Sequence, residues 1–162
     1  MKRVIDKANE MHRQYGDDLD QIAESLGLAV IYEKMTGSFR EVYFQEASSI
    51  VIREDLSRRE KHELIAHAIG HHLLHAGNHL SMQKRIYSFG NYHEKQANVF
   101  AAVLLMPSHD LQKVIKTRPR IDEIADYFHV TDELVRLRLL VWANFEKSES
   151  KKVLTQPKCD IT

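Results

Sequence analysis

Apolar residues at Val4, Ile5, Ala8 and Met11 repeat with the period of a helix, so the chain is expected to open with one. Asp17 or Asp18 is placed to cap a second, short helix, "LDQIAESLG", which Gly27 ends. The period then changes. "LAVIYEK" (28–34), "FREVYF" (39–44) and "SSIVIR" (48–53) are short and rich in Val, Ile, Phe and Tyr, with "TGS" and "QEA" as turn signals between them. Three antiparallel strands in a small meander are expected. From Ser57 the helical signal returns. "SRRE" has the S-x-x-E form of a capping box, and the helix should run to about His75 and stop at Gly77. Residues 78–90 read as a connecting loop. "NYHEKQANVFAAVLLM" (91–106) predicts the next helix, capped by Asn91 and closed by Pro107. Ile121, Ile124, Ala125 and Phe128 form a further apolar stripe, and Leu134, Leu137 and Val141 form another that starts from a Thr131 cap. From about Ser148 the chain is a polar tail. The pattern predicts an α+β class: a mainly helical domain, a small three-stranded antiparallel sheet and a C-terminal helical segment.

Composition narrows the partners. Over 162 residues, 23 Lys and Arg balance 23 Asp and Glu, which disfavours generic nucleic acid or an anionic membrane as the main ligand. A chain of this length can bury a core without disulfides, and its only cysteine, Cys159, lies in the polar tail. The N-terminal stretch is charged throughout, and no segment reaches the roughly 18 apolar residues of a membrane span. A cytoplasmic protein is expected.

The candidate chemistry sits in "HELIAHAIGHHLLH" (62–75). Seven of the ten histidines fall between residues 62 and 93. His67 and His71 are four apart, a separation of about 40° around a helix, so both imidazoles face the same way and can reach one metal ion. The opposite side, with Leu64, Ile65, Ile69, Leu73 and Leu74, belongs to a core. Gly70 in mid-helix costs about 1 kcal/mol relative to alanine, which implies that something passes close to the backbone there. A third donor is needed, and Glu94 on the following helix is the leading candidate. Its competing role is the capping-box acid for Asn91. Glu63, His75, His79 and His93 are alternative ligands. Asn98, four residues beyond Glu94, is placed to orient a ligand from outside the coordination shell.

"IAHAIGHHLLH", followed some 20 residues later by "EKQANVFAAVLLMP", resembles the ImmA/IrrE family of metallo-endopeptidases. The family's usual text is close to HE-[IL]-GH-x-[LF]-x-H and then E-x-x-A-[ND]-x-FA-x-x-LLMP. The resemblance covers most of the chain, including "ANEMHRQYG", the small sheet and "IDEIADYFHVTDELVRLRL". It implies a zincin-like fold related to the gluzincins, with a peptidase core over 1–107, a C-terminal helical subdomain over 108–147 and a flexible tail over 148–162. It also implies one zinc ion held by His67, His71 and Glu94, and a protein substrate, in some members a helix-turn-helix repressor of a phage or mobile element.

Ala68 breaks the pattern, because the family has its general-base glutamate there. Alanine can neither take a proton from water nor pass it to a leaving amine, and general acid–base help is worth about 10²–10⁴ in rate. The resemblance therefore implies a metal-competent but inactive or severely impaired peptidase. Retention of the remaining motif favours an introduced or recent change over a long-retired enzyme, while a natural pseudo-peptidase that sequesters a repressor is the competing view.

Three other possibilities bear on the same residues. "RIDEIADYFHVTDELVRLRL" reads helix, turn, helix, and Arg136 and Arg138 are placed to meet phosphate. Asp122, Glu123, Asp126, Asp132 and Glu133 oppose DNA binding, so no direct nucleic-acid contact is expected. The histidine-rich stretch would also suit metal storage, which has no use for the "ANVFAAVLLMP" block. "SSIVIR", with Ser49, Ile50 and Val51, is the candidate edge strand for holding an extended substrate. Tyr87, Tyr92 and His93 are candidate donors to an oxyanion. His12, His109 and His129 are expected on the surface.

Overall fold

A computed structural model describes residues 1–75, 79–81 and 92–146 of the chain. The expected stop at Gly77, most of the 78–90 loop, Tyr87, Asn91, the polar tail and Cys159 lie outside the described residues. Helix α1 (Lys2–Tyr15) buries Val4, Ile5, Ala8 and Met11, the four positions of its apolar stripe. Asp18 caps α2 (Leu19–Ser25) by accepting a hydrogen bond from Gln21 N, and Gly27 follows it with a φ of 68° that favours glycine.

The sheet is mixed. β1 (Ala29–Glu33), β2 (Glu41–Phe44) and β3 (Ser49–Arg53) are its main strands, and short β4 (His79–Ser81), inside the stretch expected to be loop, extends it in the order β1-β3-β2-β4. This corrects the expected antiparallel meander. β2 and β3 do form an antiparallel hairpin, with Phe44 opposite Ser49, but β1 pairs with β3 in parallel. Turn signals report only where strands end. The connection from β1 to β2 is long enough to cross a strand's width, which leaves room for β3 to return between them. β3 is therefore interior, hydrogen-bonded on both sides. The proposed edge at Ser49, Ile50 and Val51 is not an edge, and Ser49 and Ile50 are buried.

Directly opposed residues share a face of a sheet. Glu41 faces Ile52, and Tyr43 faces Ile50; all four are at most 1% exposed and form one buried face. Helix α3 (Arg58–Leu74) starts at the expected Ser57–Glu60 capping box and packs against the sheet, with Tyr43 Oη 2.7 Å from His72 Nδ1. Helix α4 (Tyr92–Leu105) packs along α3 and against α1. His12 is half-buried at this second contact, contrary to its expected surface place: its Nδ1 donates to the Leu104 carbonyl at 3.0 Å. His109 and His129 are exposed.

Three short helices follow: α5 (Ser108–Ile115), α6 (Ile121–Phe128) and α7 (Asp132–Val141), the last continuing into a π-helical turn, Trp142–Glu146. Two buried polar contacts fix them to the rest. Fully buried Glu63 on α3 accepts from Thr131 N and, at 3.0 Å, from Thr131 Oγ1, while that hydroxyl caps α7 by accepting from Leu134 N. Arg138 is also fully buried. It donates to the Met106 carbonyl at 2.7 Å, to Ser108 Oγ at 3.1 Å and to both Glu146 oxygens at 2.6 and 3.1 Å. It thus locks α7 to the end of α4 and is not available to phosphate; Arg136 alone of the two is exposed.

Gly70 explains itself at the α3–α4 contact. A Cβ there would lie 3.0 Å from Phe100 Cδ1 and 3.2 Å from both the Cα and the carbonyl oxygen of Ala97. The neighbour is backbone, so α4 itself would have to move. Overpacking in Gly70→Ala is expected to cost about 1–3 kcal/mol, which the helix-propensity gain of about 1 kcal/mol offsets in part, so the unfolding free energy should fall by up to about 2 kcal/mol. Urea denaturation checks this, and a more stable variant contradicts it.

Candidate metal centre

His67 and His71 project from the middle of α3, where the helix is buried on all sides. Their exposures are 2% and 1%. Glu94 enters from the first turn of α4. Its Oε1 lies 3.1 Å from His71 Nε2 and its Oε2 lies 3.5 Å from His67 Nε2, while the two Nε2 atoms are 3.1 Å apart. The three donor atoms lie within 4.8 Å of one another, and this is the single such cluster of three or more among the described residues.

The arrangement fits a small divalent cation. Tetrahedral ligands at 2.0–2.1 Å from an ion are about 3.3 Å apart, and the observed separations bracket that figure. Two imidazole nitrogens pointed at each other need a shared proton or a shared ion between them. The surroundings agree. His67 Nδ1, both amide atoms of Asn98 and Glu41 Oε2 are buried with no hydrogen-bond partner among the described residues. Buried polar atoms left this way are rare, and they lie on the residues around the Nε2 convergence rather than at it.

The electrostatics of the metal-free cluster follow from burial and proximity. Burial raises the Glu94 carboxyl, but hydrogen bonds and charge from His67 and His71 win and hold it well below the usual carboxylate range. Burial lowers His67, yet the charges of Glu41 and Glu94, with smaller help from Asn98, raise it above its ordinary value. Glu41 is pushed up to about 7, by burial first and by the Glu94 charge, against an opposing pull from His67.

Of the residues singled out from the sequence, His67, His71 and Glu94 come together. Asn98 is fully buried one turn beyond Glu94, and its side chain favours the protonated form of His67. Among the alternative ligands, Glu63 is committed to Thr131, and His75 stacks on exposed His93 with ring centroids 4.1 Å apart; none of these joins the cluster. The side chain of His79 lies outside the described residues. Tyr92 is 65% exposed, with its hydroxyl near Gln96 Nε2 at 3.3 Å. Ala68 is fully buried within the apolar core, so position 68 presents a methyl group and no titratable atom. The sequence reading overlooked Glu41. Its only signal was phase: in "REVYF" the glutamate alternates with Tyr43 and so shares that residue's buried face.

The shifts fix a pH dependence for the metal-free chain. Glu41 and His67 both hold protons more tightly folded than unfolded, so their contribution is present at low pH and is lost as pH rises. For Glu41 the loss runs from the ordinary carboxylate value of 4.5 to about 7; for His67 it runs upward from 6.5. Glu94 has the opposite sign, and its contribution fails only in acid, below 4.5. Burial lowers His62 and His72, so their contributions grow with pH and oppose this trend. The Glu41 part is isolated by comparison: chelator-treated Glu41→Gln is expected to gain thermal stability relative to the parent between about pH 4.5 and 7. A difference in melting temperature that stays constant across that range contradicts this assignment.

Comparison with known proteins gives this geometry a context. The profile of a peptidase family, M78, described as the IrrE N-terminal-like domain, matches residues 23–140. The chain is 35% identical over 125 residues to the phage-like element PBSX protein XkdA of Bacillus subtilis (strain 168), covering 75% of this chain and 61% of that protein. It is 28% identical over 110 residues to the uncharacterized immunity region protein 2 of Bacillus phage phi105, covering 67% of this chain and 68% of that one. The match runs from α2 through α7 and takes in His67, His71 and Glu94, and by it this chain belongs to the M78 peptidases, the ImmA/IrrE family.

Proposed function

We propose that the chain is a zinc-binding endopeptidase of the ImmA/IrrE type, directed in the cytoplasm at a helix-turn-helix repressor of a phage or mobile element, with hydrolysis severely impaired by Ala68. The observation that carries the metal assignment is the convergence of the two buried histidines His67 and His71 with Glu94 at 3.1–3.5 Å. Support for the regulatory setting comes from relatives named for a phage-like element and a phage immunity region. No helix among the described residues is long and apolar enough to cross a membrane.

Zinc bound by these three residues would polarise a scissile carbonyl and lower the pKa of a water to roughly 7. The protein's own part is to hold the donors in register. His67 and His71 are fixed by one helix and Glu94 by another, and Asn98 lies behind His67. What the chain does not offer at position 68 is a group to take a proton from water and hand it to the departing amine. That loss corresponds to about 10²–10⁴ in rate, or about 3–5 kcal/mol of barrier.

Two measurements test this. The purified chain is expected to bind one zinc ion, and His67→Ala to bind none at the same concentration; several ions per chain would favour storage instead. Ala68→Glu is expected to raise cleavage of a cognate repressor by about 10²-fold or more, followed by gel electrophoresis. A zinc-loaded Ala68→Glu protein that binds the repressor without cutting it supports sequestration instead.

A further inference from the structure

Each other buried charged side chain among the described residues has a visible counterpart. Glu63 holds Thr131, Arg138 holds Glu146, and the histidine pair holds Glu94. Glu41 is 1% exposed, and its Oε2 has no hydrogen-bond partner among the described residues. A carboxylate in that position is costly unless a positive charge is near.

Its placement says where that charge belongs. Glu41 sits on β2 between Ile52 of β3 and Ser81 of β4. It shares the face of Tyr43, whose hydroxyl reaches His72 on α3. Glu41 therefore faces the helix that carries both histidine donors. It lies outside the three-residue cluster, so it is not itself one of the converging donors. It nevertheless interacts with them through charge: of the charges acting on His67, that of Glu41 leads. The three donors carry one negative charge between them. A divalent cation among them leaves a buried excess of positive charge, and Ala68 removes the carboxylate the family would place beside it.

Resting on the metallopeptidase reading above, we infer that Glu41 supplies from β2 the second carboxylate charge of the cation site, the one that position 68 lacks. It tightens cation binding from outside the coordination shell, and the cation in turn gives the unpartnered Glu41 oxygen a full positive charge to face.

The test is zinc affinity, measured by competition with a chromogenic chelator on the full chain, with melting temperatures with and without zinc. Glu41→Gln is expected to bind zinc about 10–100-fold more weakly, the usual effect of removing an outer-shell partner. Glu41→Asp, which keeps the charge, should lie between the two. Tyr43→Phe, on the same face, should stay within about two-fold of the parent if charge and not packing is responsible. The metal-free glutamine variant should melt at or above the parent, and zinc should raise its melting temperature less. Affinity within about two-fold of the parent for Glu41→Gln overturns the inference. So does a glutamine variant that fails to fold without metal, because a carboxylate needed for folding is already satisfied in the absence of the cation. A parent chain that binds no zinc defeats the metallopeptidase reading itself, a result distinct from either.

Discussion

The centre depends on how closely α3 and α4 approach. Two histidines on one helix make half a site, and the carboxylate that completes it lies on another helix, one turn from the crossing. Gly70 lets the backbone of α4 at Ala97 come within contact distance of α3. With a larger residue there, Glu94 would be displaced from Nε2 atoms that it now meets at 3.1 and 3.5 Å. The small residues Ala97, Ala101 and Ala102 on α4 are buried without bulk, consistent with a tight helix pair. The C-terminal helices brace this pair: Arg138 grips the end of α4, and Glu63 ties the middle of α3 to the start of α7.

Burying this many ionisable groups in a small volume has an electrostatic consequence. The cluster is tolerable without metal only because its members exchange protons and hydrogen bonds. Glu94 remains charged against the histidines, and His67 is drawn toward its protonated form. Such an arrangement is polarised for a cation. Replacing shared protons with a divalent ion satisfies the two Nε2 atoms and the Glu94 oxygens together. It also concentrates the chemistry where water is excluded, which strengthens each charge interaction.

On the proposed reading, position 68 separates metal binding from catalysis. The converging side chains are at 67, 71 and 94, and substitution at 68 replaces none of them. The alanine packs into the apolar core beside His67. Family membership and an intact donor set therefore do not by themselves establish turnover, since the proton-transfer group is an independent part of the mechanism.

The sequence alone determined much of the local structure. Helical periods located α1, α3, α4, α6 and α7; the caps at Ser57 and Thr131 are the ones the spacing indicated, and Asp18 is one of the two it offered for α2. The His67–His71 pair was legible because four residues make nearly one helical turn, and Glu94 because the neighbouring motif carries it. These are short-range facts, fixed by backbone geometry and side-chain type. What only the tertiary structure decided is long-range. β3 returning between β1 and β2 removed the expected substrate edge at Ser49–Val51, and that order depends on how the strands bury Ile50 and Ile52 against the helices. Arg138 reads as a surface cation and is fully buried, because its partner Glu146 lies beyond the helix that carries it. Glu41 reads as an ordinary strand glutamate and is fully buried, because an alternating pattern shows which residues share a face but not what that face meets.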